Sequence, residues 1–195
     1  KKWIKESYEF NPSTPYAASR AACDLHLLSF FKGYSFPVIF TRSANVYGPG
    51  QQLYRIIPRT ILACISGEKV DLHGGGKSLR SFIHIDDVVK ATYKICENGN
   101  IGDTYHISTN KLVSISQLIS KIANCFNLKR KDISVITEDR LGKDTAYKLS
   151  SKKIRKELLW RDNIDLETGL KQTIKWVQNY YEDFRFMNWK YVHKS

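Results

Sequence analysis

The sequence predicts an α/β protein. Short apolar runs of strand length alternate along the chain with longer segments of helical periodicity. Gly, Pro, Ser or Asp stands at nearly every junction between them. The composition agrees: 42% of the 195 residues are hydrophobic and 26% are charged, the balance of a folded chain with a sizeable core.

Thr14 followed by Pro15 reads as a helix N-cap with proline at the first helical position. That helix is expected to run from Pro15 to about Phe31 and to stop at Gly33. Pro37–Thr41 reads as a short buried strand, followed by a polar, glycine-rich loop over 43–52. A second amphipathic helix is expected over Ile56–Ser66, ended by Gly67. Val70–His73 and Arg80–His84 read as two strands of a hairpin turned by Gly74, Gly75, Gly76 and Lys77. Asp86 or Asp87 is positioned to cap a helix reaching about Glu97. Thr104–Ile107 and Ser134–Ile136 read as strands, and Ile115–Phe126 as a helix. Ser150 or Ser151 opens a helix that ends near Leu158, and Leu166–Tyr181 forms the last long one.

The chain carries a net charge of +12, with a pI near 9.5. Such a chain favours an acidic partner: nucleic acid, an anionic membrane or a phosphorylated small molecule. Its basic residues are scattered, with clusters no longer than Lys129-Arg130-Lys131, and no nucleic-acid-binding signature accompanies them. No apolar run has the length of a membrane span, and Lys1–Phe10 has no apolar signal-type core. Cys23, Cys64, Cys96 and Cys125 are far apart and form no CxxC pair. We expect buried, reduced thiols in a cytoplasmic protein, and no metal site.

Chemistry concentrates in a few places. Tyr16 and Arg20 are four residues apart on one helical face. A cation beside a phenol favours the phenolate, the form able to act as a general base. In isolation such a pair is an ordinary surface pair. The surrounding stretch, Pro12-Ser13-Thr14-Pro15-Tyr16-Ala17-Ala18-Ser19-Arg20-Ala21-Ala22-Cys23-Asp24, resembles the P-x-x-P-Y-x-x-S-K-A-A-x-D segment of extended short-chain dehydrogenases/reductases. Arg42-Ser43-Ala44-Asn45-Val46-Tyr47-Gly48-Pro49 resembles that family's R-x-x-N-x-Y-G-P loop. Glu138-Asp139-Arg140-Leu141-Gly142-Lys143-Asp144 resembles the D-R-P-G-H-D segment of nucleotide-sugar 4,6-dehydratases, of which the dTDP-glucose type fits best.

The resemblance implies a partial NAD-binding Rossmann fold with a smaller C-terminal α/β lobe for substrate. Residues 1–52 would be the remainder of the Rossmann domain. Residues 53–195 would be mainly the substrate lobe, with some segments returning to the Rossmann sheet. No Gly-rich strand-to-helix turn precedes Tyr16, so the resemblance implies the C-terminal part of a longer enzyme, inactive by itself. The implied reaction is NAD-dependent dehydration of a nucleotide-diphosphate hexose to a 4-keto-6-deoxy sugar. A 4-epimerase or decarboxylase of the same superfamily, or a non-catalytic nucleotide-binding remnant, stays open.

By the same resemblance, Tyr16 is the base and contacts the cofactor together with Arg20 and Val46. Arg20 stands where the family has Lys; it keeps the charge while a planar fork replaces a compact ammonium. Asn45, Arg55, Leu72, His73, Arg80, His106, Asp139 and Arg140 would bind the nucleotide sugar, with Arg80 and Arg55 at the diphosphate. Leu141 and Lys143 depart from the family's Pro and His. The implied partners are a nucleotide-diphosphate sugar and a second copy of the chain, with no nucleic acid and no membrane. In that homodimer Ala18, Ala22, Leu25, Phe30 and Phe31 would pack against the helix at Ile56–Ser66.

Overall fold

The structure is a computed structural model that describes residues 2–139 and 146–189. It opens with helix α1 (Pro15–Tyr34), strands β1 (Phe40–Ser43) and β2 (Asn45–Tyr47), and helix α2 (Ile56–Ser66). Strands β3 (Val70–His73), β4 (Leu79–Arg80) and β5 (Phe82–His84) then lead into α3 (Ile85–Asn98). Strands β6 (Thr104–Ile107) and β7 (Val113–Ser114) precede helices α4 (Ile115–Asn124) and α5 (Arg130–Ile133). Strands β8 (Ser134–Thr137) and β9 (Ala146–Tyr147) precede helices α6 (Lys152–Glu157), α7 (Leu166–Asn179) and α8 (Tyr181–Phe184).

Local chemistry sets these boundaries. The Thr14 hydroxyl accepts from Ala17 N at 3.2 Å, and Pro15 occupies the first position of α1, where no N–H is missed. α1 runs past Gly33 and ends at Ser35, whose left-handed backbone caps Phe30 and Phe31. Gly67 ends α2 in the same way. α4 begins with a reciprocal Ser114–Gln117 capping box. α3 is capped by His84 rather than by Asp86 or Asp87, because the His84 ring accepts from Asp86 N at 3.3 Å. Asp87 instead points inward. Fully buried, it accepts from the backbone N–H of Asn163 and of Ile164 and so ties the segment before α7 to α3.

Pairing is mostly parallel and long-range. β1 pairs with β6, β2 with β5, and β3 with β8. β4 lies between β7 and β9. The hairpin expected around Gly74–Gly76 is therefore absent: its two arms belong to different sheets. The three glycines, all at positive φ, instead make a tight turn that aims the chain from β3 toward β4. A side chain at Gly76 would collide with Leu72 and the backbone of Ser116, so the glycine is required there. The first strand starts at Phe40, three residues later than expected.

Three apolar clusters form the core. One gathers Ile83, Ile95, Tyr105, Ile107 and Trp160. A second packs α2, α4 and α7 together through Ile57, Ile61, Leu118, Ile122, Leu170 and Val177. A third joins Val70 and Leu72 to Ile119 and Ile133. Tyr47 is buried between these layers, with its ring edge-on to His84 and its hydroxyl over Gly169. Burial pushes the Tyr47 phenol well above its ordinary range, with Asp165 and Asp87 adding to the effect. It is a packing residue held in its neutral form.

The thiols are not buried as expected. Cys23, Cys96 and Cys125 are exposed and Cys64 is half-buried. Cys23 and Cys96 fall on the outward sides of α1 and α3, Cys125 stands just past the end of α4, and Cys64 packs partly against the core. Burial, with Cys125 nearby, raises the Cys64 thiol to about 11. Among the described residues no helix is long and apolar enough to cross a membrane.

Candidate active site

Parallel pairing of β2 with β5 places Asn45 opposite Phe82, and so brings the loop after β2 alongside β4. A cleft of about 1230 Å³ opens between them. α1 contributes Tyr16, β2 contributes Asn45 and Val46, and the loop after it contributes Pro49 and Gln51. Arg55 at the N-cap of α2 and Arg59 within it line the cleft, β3 contributes Asp71 and His73, and Ser78 and Arg80 come from the start and end of the β4 segment.

Six residues singled out in the sequence therefore share one cleft: Tyr16, Asn45, Val46, Arg55, His73 and Arg80. Tyr16 is 76% exposed near the start of α1. Asn45 is held firmly: its Nδ2 donates to Ser81 O at 3.0 Å, and its backbone N–H donates to the same oxygen. The Gln51 Nε2 donates to Val46 O at 2.7 Å and folds the loop back onto β2. The Arg55 guanidinium lies over the Tyr54 ring at 5.5 Å. Arg80 Nη1 donates to Leu79 O at 2.9 Å. The His73 Nδ1 lies 3.1 Å from Glu138 O and 2.9 Å from Thr137 Oγ1.

Other sequence candidates lie elsewhere. Arg20 is exposed one turn beyond Tyr16 and does not line the cleft. Leu72 is buried in the third core cluster, supporting the strand rather than facing the cleft. His106 is also buried; its backbone N–H donates to Glu6 Oε1 at 3.1 Å. Burial lowers the His106 ring's affinity for a proton despite the Glu6 carboxylate beside it. The Asp139 carboxylate rests against Gly74, in the space that a side chain there would take. Arg140 and Lys143 lie outside the described residues.

Sequence reasoning missed Arg59, Asp71 and Ser78. Arg59 stands one helical turn after Arg55, and Asp71 stands two residues before His73 on a strand. Both periodicities were legible. Arg59 and Asp71 pair at 3.5 Å at the cleft wall. With Arg55, Arg59 and Arg80 against Asp71, this part of the lining is net positive, which suits an anionic ligand.

Residues 3–108 match the model of the NAD dependent epimerase/dehydratase family. The chain belongs to that family. It is 35% identical to human dTDP-D-glucose 4,6-dehydratase over its whole length, covering 55% of that protein. The Haemophilus influenzae dTDP-glucose 4,6-dehydratase is 33% identical over 88% of the chain, which covers 54% of it. The chain thus spans about half the length of these relatives. Among solved structures, Streptomyces venezuelae dTDP-glucose 4,6-dehydratase with NAD and TYD bound superposes with a TM-score of 0.88. It is 28% identical, over 96% of this chain and 57% of that one. The Thermotoga maritima UDP-glucose 4-epimerase with UDP-glucose gives 0.82 at 25% identity, over 88% of this chain and 55% of that one. The α/β fold of this family member is that of NAD-binding extended short-chain dehydratases and epimerases.

Proposed function

We propose that the chain forms the catalytic-tyrosine and substrate-binding part of an NAD-dependent nucleotide-sugar 4,6-dehydratase of the dTDP-glucose type. One observation carries the reading: Tyr16, Asn45, Arg55 and Arg80, spread over three elements and a loop, line a single cleft. The division at residue 52 into a Rossmann remainder and a mainly substrate-binding lobe belongs to the same proposal.

The cleft fits the roles. Tyr16 presents an exposed phenol at the cleft wall, where it can take the proton of a sugar hydroxyl. Arg20, one turn on, supplies a positive charge on the same helix. Asn45, its amide pinned by Ser81 O, is preorganised to hold a sugar hydroxyl. Arg55 and Arg80 neutralise a diphosphate, and Arg forks match phosphate oxygens in pairs. His73, which lines the same cleft from β3, is assigned to the nucleobase. The cleft also fits the nicotinamide end of NAD, because Val46 adds an apolar side chain to the lining that includes the Tyr16 phenol. NAD, when bound, supplies the hydride acceptor that such chemistry requires. The net change is loss of one water from the hexose, leaving a 4-keto-6-deoxy sugar.

We further propose that the enzyme is a homodimer that pairs through α1. Leu25, Leu27 and Phe30 are exposed on that helix. The apolar face of α2 is not available to such a pairing, since Ile57, Ile61 and Leu62 are buried against α4 and α7.

The test is to incubate the full-length protein with dTDP-glucose, or UDP-glucose, and follow the sugar product. A 4-keto-6-deoxy sugar supports the dehydratase. A 4-epimer replaces it with the epimerase reading, which the likeness to the Thermotoga maritima structure favours. Nucleotide binding without turnover replaces it with a binding remnant.

A further inference from the structure

Six side chains carry a buried polar atom without a hydrogen-bond partner among the described residues: Arg42, Gln51, Ser78, Ser81, His84 and His106. Only Ser78 and Gln51 also border the cleft. Gln51 already has a task, since its amide nitrogen holds Val46 O at 2.7 Å. Ser78 has none. It is 7% exposed and lies at the cleft wall, and its hydroxyl has no hydrogen-bond partner among the described residues.

An unpaired buried hydroxyl is unfavourable, because water has been stripped from it without replacement. Alanine would fill the same space without that cost. The serine is accounted for if a ligand completes it. Its neighbourhood indicates which ligand. Ser78, Arg80 and Phe82 line the cleft, while Leu79, Ser81 and Ile83 do not. That is the alternation of an extended chain, so Ser78 stands on the same side as Arg80, about 6–7 Å along the strand. Ser78 O also accepts from Ile115 N at 3.2 Å, at the first residue of α4. The serine thus sits between a guanidinium and the positive end of a ten-residue helix, surroundings that favour an anionic oxygen.

We propose that Ser78 is a further substrate-binding residue, whose hydroxyl donates a hydrogen bond to a phosphate oxygen of the nucleotide diphosphate held by Arg80. The proposal requires the hydroxyl to turn from its buried position toward the cleft, a change of rotamer about one side-chain bond. The inference rests on the nucleotide-sugar reading of the cleft.

The two are separated by titrating dTDP and UDP into full-length wild type, Ser78→Ala and Arg80→Ala, with a thermal midpoint recorded for each without nucleotide. Ser78→Ala is expected to bind the better nucleotide about tenfold more weakly. Its midpoint without nucleotide should be unchanged or higher, because the substitution removes an unsatisfied hydroxyl. A purely structural serine would not give that combination. Affinity equal to wild type in Ser78→Ala, with weakened binding in Arg80→Ala, overturns the role of Ser78 and leaves the cleft reading intact. A midpoint that falls together with affinity also overturns it, since the hydroxyl then serves the fold. Absence of dTDP and UDP binding by the wild type overturns the cleft reading, and the Ser78 role with it.

Discussion

α1 and α2 are both rich in apolar residues, yet they are used in opposite ways. α2 spans 11 residues and buries six of them, from Ile57 to Ala63. α1 spans 20 residues and buries none. It touches the rest of the molecule along one stripe, where Phe31 packs on Gly102 and Asp24 pairs with Arg42 at 2.8 Å. Elsewhere it exposes Leu25, Leu27, Phe30 and Tyr34. A helix with one apolar stripe is satisfied by one neighbour, whereas a helix apolar all round is built to be covered on several sides. The helix that carries the proposed base thus buries none of its side chains, whereas Arg55 and Arg59 stand at the start of the buried helix α2. Chemistry and stability should be separable by mutation.

The largest expected effect tests the chemical side. Tyr16→Phe should lower turnover of the full-length enzyme by about 10² to 10⁴, the usual loss of a general base. The thermal midpoint should not move, because Tyr16 is mostly solvent-exposed. Nucleotide affinity should also hold, since the phenol acts in the transition state. Arg20→Lys should retain or raise turnover. A Tyr16→Phe enzyme with full activity would break the comparison.

Asp87→Ala should do the reverse. Its carboxylate accepts from two backbone N–H groups in a fully buried position, and its removal strands both donors. The expected cost is about 3 kcal/mol, or roughly 6–12 °C in midpoint, read by calorimetry. Turnover per folded molecule should be little changed.

The same contrast explains what the sequence disclosed. Ile56–Ser66 was legible to the residue, because its apolar spacing and the terminal Gly67 agree with its burial. Thr14-Pro15 announced the start of α1 for the same local reason. Six of the cleft residues were also legible, through motif likeness rather than periodicity. Long-range pairing was not. Nothing local in Val70–His73 reveals a partner more than 60 residues away in β8, so the adjacent arm at Arg80 looked like the natural mate. His106 was a candidate through its place in the family likeness, and no local signal in the sequence shows that all four residues of β6 are buried. Exposure of the cysteines was hidden too, since an apolar helix gives no hint of which side stays uncovered.

A third prediction concerns the uncovered side of α1. Leu25→Glu with Phe30→Glu should shift the full-length protein toward monomer in light scattering at micromolar concentration, because the substitutions place charge in the proposed isologous contact. The midpoint of the monomer should stay near that of wild type, since neither side chain is buried. If the double variant remains a dimer, α1 is covered by something other than its own copy.

The smallest effect is expected from pH, and it should fall on the core rather than on α1. His84 and His106 are both almost wholly buried, and burial lowers the proton affinity of each despite nearby carboxylates. In the unfolded chain both titrate near the ordinary histidine value of about 6.5. Between that value and their lowered folded values the unfolded state binds more protons, so stability must fall as the pH drops through this window. Asp162 and Asp165, both held below the usual carboxylate range, add their loss only at more acid pH. From pH 7.5 to 5.5 the midpoint should fall by about 2–5 °C. Hydrogen exchange should locate the change: amides of β5, β6 and the start of α3 lose protection as the histidines take up protons. The outer face of α1 carries only His26, which is exposed, so its amides should exchange alike at both pH values once the intrinsic rate is corrected. Equal loss of protection in α1 and in the core would mean that the two helices unfold as one unit, which their unequal burial argues against.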